Sequence, residues 1–386
     1  MKIKLTFMIG VLSACTLLLQ AQSIDEETAR AEACRFFNER ITKIPSKRDI
    51  SRQSPRLKLA EKRMLSNNET AYYIFNRGET DGFVIVGAQN EPIVLGYADE
   101  GDFDPHNIPD GLRELLNGYA DELEWATNQP QSISASPKGS TPDKPAIAPL
   151  CEAMWNQDDP YNRLTPIKSG KHAPTGCVAT AMSILMYHHR WPEQGSGSYG
   201  DVDFSKARYD WEQMTPTYGT ESEETACTEV AELMYHCGVA VKMKYGAAES
   251  GAFSTNVAPA LNDYFGYKGV LYAEKDQYGI KTWEDLIYNE LSENRPLYYA
   301  GGVHAFVCDG YDGNGYFHFN FGWGGRANGY FRLYAIRLSD VGIGGGEGDY
   351  SSGQCIVYGI ERPDANRHVP LSIIGYGNLF LTDFQN

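Results

Sequence analysis

The chain has 386 residues, a formal net charge of −16, 42% hydrophobic and 22% charged residues. This composition excludes disorder throughout and leaves room for two or three domains, while so acidic a balance lacks the basic face with which a nucleic-acid binder meets phosphates. The 25 tyrosines and 39 glycines suit a twisted, loop-rich β architecture better than a helical bundle.

Lys2 and Lys4 precede an apolar run from Leu5 to Leu19, with small Ala21 after it, the pattern of an export signal over residues 1–21. Leu12-Ser13-Ala14-Cys15 also resembles a lipoprotein processing box in which Cys15 carries the lipid. Either route leads out of the cytoplasm. A helix is predicted from Ser23, with Ser23 and Glu26 as a capping box and Ala29, Ala33, Phe36, Phe37 and Ile41 at helical spacing, ended by Pro45. The basic run Lys43 to Arg63 reads as an exposed connection. Ala71 to Asn76, Gly82 to Ala88 and Pro92 to Ala98 read as the strands of an antiparallel meander. A second helix is expected from about Pro109, with Leu112, Leu115, Leu116, Tyr119 and Leu123 on one stripe. Residues 22–127 thus form a small α+β unit, and the Pro, Ser, Lys and Gly run over 128–149 marks an exposed linker of the kind proteases cut.

The second unit, 150–386, places helices first: one opening at Cys177, one from about Glu223 to Tyr245, one around Lys281 to Glu293. Strands follow at Pro296 to Ala300, Val303 to Asp309, Tyr316 to Phe321, Gly329 to Leu333 and Cys355 to Ile360, so the class is α+β. The Gly-rich run Gly342 to Gly348 lacks the strand-to-helix setting of a phosphate loop and reads as a shaped loop. Seven cysteines remain after the signal, an odd number. Cys227 and Cys237 lie roughly 15 Å apart along one helix, too far to bridge, and no CxxC pair occurs. The chain is not a disulfide scaffold.

Cys177 stands where a loop turns into a helix, behind Thr175 as a cap and Gly176 as a tight turn. Unpaired N–H groups and the positive end of the helix dipole favour a thiolate there, although a lone Cys at such a place more often simply packs. A thiol nucleophile needs a base, and the base needs a group to orient it. His304, among glycines in Gly301-Gly302-Val303-His304, and Asn320, in Phe319-Asn320-Phe321-Gly322-Trp323, offer both. Each alone reads as an ordinary strand or turn residue; their order changes that. Papain-like sites place His and Asn roughly 130 to 150 residues after the Cys, and His304 falls at the near edge of that window with Asn320 inside it. The developing oxyanion needs N–H donors; the Cys177 N–H and the Gln157 side-chain amide can supply them. Trp323 could shield the imidazole. His188-His189, His236 with Cys237, and His304 with Cys308 do not complete a metal-ligand set, so neither a metal nor a cofactor is expected.

These motifs together resemble the streptopain family of secreted papain-fold cysteine proteases. The resemblance runs from Trp155-Asn156-Gln157 and Pro160-Tyr161-Asn162 through Gly176-Cys177-Val178-Ala179-Thr180-Ala181 and Glu232-Leu233-Met234. It continues through His304-Ala305-Phe306-Val307, Asp309-Gly310-Tyr311, the run from His318 to Gly325 and Gly329-Tyr330-Phe331-Arg332-Leu333. It departs at Phe321, where a Trp is expected, in the short segment from Thr165 to Cys177, and after Ile360. The first unit is similar to that family's prosegment in Gly82-Phe83-Val84-Ile85-Val86 and Leu95-Gly96-Tyr97. What the resemblance implies is a zymogen: a two-lobed catalytic domain, helical lobe then antiparallel β lobe, that acts on protein or peptide substrates through Cys177, His304, Asn320 and Gln157. Its own prodomain would inhibit it until the linker is cut. Papain-fold acyl transfer with the same triad, or an exported binding protein without turnover, are the alternatives.

Overall fold

The computed structural model describes residues 23–43, 56–89, 91–127, 144–335 and 353–363. The expected signal, Cys15, the Gly-rich run, most of the linker and nearly all of the segment after Ile360 lie outside them. The first unit contains α1 (Glu26–Lys43), β1 (Leu57–Met64), β2 (Thr70–Arg77), β3 (Phe83–Gly87), β4 (Ile93–Ala98) and α2 (Asp110–Thr127). The second contains α3 (Cys177–His189), α4 (Glu224–Ala240), α5 (Val257–Tyr264), β5 (Leu271–Glu274) and α6 (Ile280–Ser292). It then runs through β6 (Leu297–Gly301), β7 (His304–Tyr311), β8 (Phe317–Asn320), β9 (Gly329–Phe331) and β10 (Cys355–Tyr358). Three two-residue β-ladders decorate the helical part.

Helix and strand patterns put most elements where the hydrophobic periodicity predicts; α4, expected to reach Tyr245, stops at Ala240 because Lys244-Tyr245 pairs with Ser250-Gly251 in one of the short ladders, and there are four further differences. Ser23 does not cap α1: Asp25 Oδ1 accepts the Thr28 N–H at 2.9 Å, and Ser23 Oγ accepts the Thr70 N–H. The run expected as an exposed connection contains β1, which pairs with β2 through two irregularities in register. Its Glu61-Lys62-Arg63 end is the charge that an outermost strand carries to discourage further pairing, and that charge hides it as a strand. Helix α5 and strand β5, both short, are additions to the expected order. Finally, residues 144–149 of the expected linker are docked: Ile147 and Tyr311 exchange backbone hydrogen bonds at 2.7 and 2.8 Å, and Lys144 Nζ lies 2.5 Å from Asp285.

All ten strands belong to one antiparallel sheet in the order β1-β2-β3-β4-β9-β8-β7-β6-β10-β5, so the sheet passes without a break from the first unit into the second. The junction is narrow: Tyr97 faces Tyr330 and Gly96 faces Phe331. Glycine is required on both sides. A Cβ on Gly96 would enter the Phe331 ring, and one on Gly329 would lie 2.5 Å from the Tyr97 carbonyl. Around this ladder Arg332 N–H donates to the Leu95 carbonyl at 2.9 Å, Tyr316 Oη to Val94 at 3.0 Å, Tyr119 Oη to the Arg332 carbonyl, and Tyr97 Oη to Asp312 at 3.1 Å.

Three cores follow from the faces. One joins α3, α4 and α5 to the face of the sheet carrying Tyr298, Ala305 and Val307. A second lies on the opposite face and is shared between the units: Leu112, Leu116, Tyr119 and Leu123 of α2 pack with Tyr299, Phe306, Phe319, Phe321 and Phe331, and with Trp283 of α6. Each buried Leu there contributes about 1.5–3 kcal/mol. The third closes α1 over β2–β4. The first unit is therefore held by core packing as much as by strand pairing.

Candidate active site

Gly176 adopts φ 86°, and a Cβ there would lie 2.8 Å from both Met243 Sδ and the Ser250 carbonyl, so only glycine fits the turn into α3. Gly176 is itself the N-cap, its carbonyl accepting Thr180 N–H at 3.0 Å. Thr175, expected as the cap, instead shares a hydrogen bond of 2.9 Å with Thr180 Oγ1. No side chain covers the first-turn N–H groups, and Cys177 opens the helix beneath them.

Helix α3 packs on β7, which brings the Ala305 N–H to the thiol. Burial raises the Cys177 thiol above its ordinary value, opposed by the N–H groups of Ala305, Val178 and Cys177 itself, with the Asp110 carboxylate of α2 adding to the rise. The helix-start advantage expected for a thiolate is thus outweighed in this state. Gln157 stands beside the same turn: its carbonyl accepts Thr175 N–H at 3.0 Å and its own N–H donates to Asn156 Oδ1 at 2.8 Å.

No hydrogen bond joins Cys177 to His304 among the described residues. Strand alternation explains why. Ala305 and Val307 face α3, whereas Phe306 and Cys308 face α2 and α6, so His304, two residues before Phe306, starts β7 on the α2 side. It pairs with Gly301 across the two-residue turn Gly302–Val303. Asn320 pairs with Val307 and so lies on the α3 side. It is buried, donates from Nδ2 to the Ala153 carbonyl at 2.8 Å and accepts Gly322 N–H at Oδ1 at 3.1 Å. Trp323 is half-buried in the turn after β8, its carbonyl accepting Arg326 N–H at 3.2 Å.

The N-terminal turn of α2 lies over this region. A Cβ on Gly111 would meet the Phe306 and Phe321 rings at 3.0 and 3.1 Å, and one on Gly302 would meet Glu114 Oε2 at 2.5 Å. Phe321, where a Trp was expected, is part of the surface against which α2 packs. A cavity of about 150 Å³ remains between helix and turn, lined by Glu114, Glu122, Tyr299, Gly302, Phe306 and Gln354. The roles of Asp110, Gly111 and Glu114 were not legible in the sequence, although a glycine just inside the start of a helix hints at close packing. The seven cysteines are free thiols. Of the histidine pairs weighed for metal, His188 Nδ1 lies 3.0 Å from the Leu150 carbonyl and His236 Nδ1 3.0 Å from Tyr209 Oη.

This is a two-lobed, papain-like enzyme fold with a thiol at the lobe junction and a folded prodomain on top of it. Residues 155–331 match the model of the peptidase C10 family, and residues 21–123 match that of the Spi protease inhibitor. The chain is 37% identical over 390 residues to the thiol protease/hemagglutinin PrtT of Porphyromonas gingivalis, covering 93% of this chain and 44% of that protein. It is 34% identical over 325 residues to streptopain of Streptococcus pyogenes, covering 75% of this chain and 80% of the relative. Among solved structures it is similar to a prointerpain A fragment of Prevotella intermedia, with a TM-score of 0.65 and 26% identity over 79% of this chain and 99% of that one. The chain belongs to the peptidase C10 family of cysteine-type peptidases, with an N-terminal inhibitor-like prodomain.

Proposed function

We propose that the protein is the latent precursor of a secreted cysteine endopeptidase in which Cys177 is the nucleophile, His304 the general acid/base, Asn320 its orienting partner, Gln157 an oxyanion donor and Trp323 a shield. The observation that carries this reading is the meeting of three elements at one point: the start of α3 with its thiol, the start of β7 with Ala305 N–H and His304, and the start of α2 lying on both. In the working enzyme the Cys177 thiol passes its proton to His304 and the sulfur attacks a peptide carbonyl carbon, so that the C–S bond forms as the C=O π pair moves onto oxygen. His304 gives its proton to the departing amine as the C–N bond breaks. Water then attacks the thioester, its proton passing to His304, and the C–S bond breaks to release the acid. The Cys177 N–H and Gln157 amide hold the oxyanion in both steps. Substrates are proteins or peptides. The N-terminal pattern of a basic start and an apolar run supports export, and the lipid-anchored form through Cys15 is its variant.

Latency follows from the same geometry. With α2 in place, His304 begins its strand on the far face and the thiol is half-buried, with the Asp110 carboxylate nearby. Departure of α2 frees the Gly302–Val303 turn, where Gly302 sits at φ 59° against Glu114, to rebuild with the imidazole on the thiol side. The prodomain is thus an inhibitor held at high effective concentration by the linker.

Gly96→Val tests this without altering a residue of the catalytic unit. Overpacking against Phe331 costs about 1–3 kcal/mol, equivalent to about 5- to 150-fold in docking. Alkylation of Cys177 by iodoacetamide in the uncut variant, followed by mass spectrometry, is expected to accelerate by that factor. An unchanged rate would show that the β4–β9 junction does not hold the prodomain. Processing should also fall upstream of the docked segment. Because 147–151 is hydrogen-bonded to the end of β7, the mature N-terminus is expected within 128–144 after incubation under mild reduction. A first cut mapped between Ile147 and Leu150, or inside β3 or β4, contradicts the proposed arrangement.

A further inference from the structure

The ladder between β7 and β8 breaks at one residue. Val307 faces Asn320 and Cys308 faces Phe319, but the next pairs are Gly310 with His318 and Tyr311 with Phe317, leaving Asp309 as the extra residue of a bulge. Asp309 is 0% exposed and both carboxylate oxygens are engaged. Oδ1 lies 2.5 Å from His318 Nδ1, and Oδ2 accepts the Cys151 N–H at 3.0 Å. The Asp309 carbonyl accepts Leu150 N–H at 2.8 Å. A carboxylate is costly to bury, and an apolar residue would fill a bulge as well, so these bonds need a use.

The segment they fasten runs between the two halves of the site. On the helix side, His188 Nδ1 lies on the Leu150 carbonyl and Arg190 pairs with Glu152 at 2.6 Å, both at the end of the helix that Cys177 begins. On the strand side, two residues beyond the clamp, the Ala153 carbonyl receives Asn320 Nδ2. A carbonyl only accepts and a backbone N–H only donates, so this bond and the Gly322 N–H held by Oδ1 at 3.1 Å agree on which end of the Asn320 amide is nitrogen. The oxygen keeps a second lone pair that an imidazole N–H can use. We propose that Asp309, steadied by His318, is a positioning residue for the thiol–imidazole chemistry: it fixes 150–153 so that the Ala153 carbonyl presents Asn320 in the one amide orientation that can orient His304. The inference rests on the reading of Asn320 as the partner of His304.

The test is a cycle on processed enzyme: Asp309→Asn, Asn320→Ala and the double variant, with kcat and KM measured on a peptide substrate and Cys177 alkylation followed against pH. Asp309→Asn is expected to lower kcat by about 10- to 100-fold, as for a misplaced catalytic group, with KM little changed. The double variant should be no slower than Asn320→Ala alone, and all three should move the alkylation profile to higher pH alike. Losses that multiply in the double variant overturn the proposal while leaving the role of Asn320 intact. Full activity in Asn320→Ala removes that role and the proposal with it. Should Asp309→Asn fail to fold, His318→Asn, which spares the bond to Cys151, enters the same cycle, and multiplication there overturns the proposal equally.

Discussion

Purified Cys177→Ala protein is expected to hydrolyse no casein and to leave its own linker intact, because in the proposed mechanism the thioester forms on Cys177. In acyl-transfer enzymes with a nucleophile and a base acting as a unit, removing the nucleophile costs on the order of a millionfold in kcat. His304→Ala should cost as much, and the double variant little more, since the proposed mechanism gives the two residues one step. The fold should survive. Cys177 is partly buried at the first position of α3, and the substitution deletes one sulfur while raising helix propensity. Addition of a small amount of active enzyme should restore processing of the Cys177→Ala precursor in trans. Casein hydrolysis persisting in that variant, above controls for contaminating protease, would end the assignment of the nucleophile.

The second large effect concerns Gln157. Its backbone is pinned beside the thiol turn by the Thr175 N–H and by Asn156, and in the proposed mechanism its side-chain amide is the second oxyanion donor. An oxyanion donor acts only on charge that develops in the transition state, so Gln157→Ala should lower kcat by about 100- to 1000-fold with KM nearly unchanged. Gln157→Glu keeps the shape and replaces the donor with an acceptor, and should do at least as much damage. A full kcat in Gln157→Ala, or a loss that Gln157→Glu repairs, would make the residue a strut of the turn and nothing more.

What could be read from residues alone was whatever is local. The meander β2–β4 announces itself by runs such as Phe83-Val84-Ile85-Val86 between turn residues, α2 by its stripe of Leu112, Leu116 and Tyr119, Cys177 by its place after Thr175-Gly176 at the opening of an apolar helix, and His304 by Gly301 and Gly302 before it. Caps were harder, because Ser23 and Thr175 each have a competitor one or two residues away, and the backbone geometry rather than the side-chain type decides. Strand β1 was concealed by the charge that suits an outermost strand. Entirely illegible was the relation between distant parts: that β4 pairs with β9, that α2 covers Phe306 and Phe321, and that His304 starts its strand on the side away from the thiol. Strand alternation fixes this last point only once the register with Gly301 is known. Nor could the spacing of Asp309 and His318 reveal a bulge, since the extra residue has meaning only against its partner strand.

The ladder from β4 to β9 also bears on how the enzyme comes to exist. The Tyr119–Arg332 contact beside it closes 213 residues of chain, and pairings so far apart are slow to find. Because α1, β1–β4 and α2 come first in the chain, they can fold before the second unit, so that β4 offers a finished edge to β9. The later half of the sheet is cast on that mould, glycine against aromatic ring at Gly96 and Phe331. A mature chain without the prodomain would lack that edge on refolding, and its working life would then follow how slowly it unfolds rather than a reversible balance.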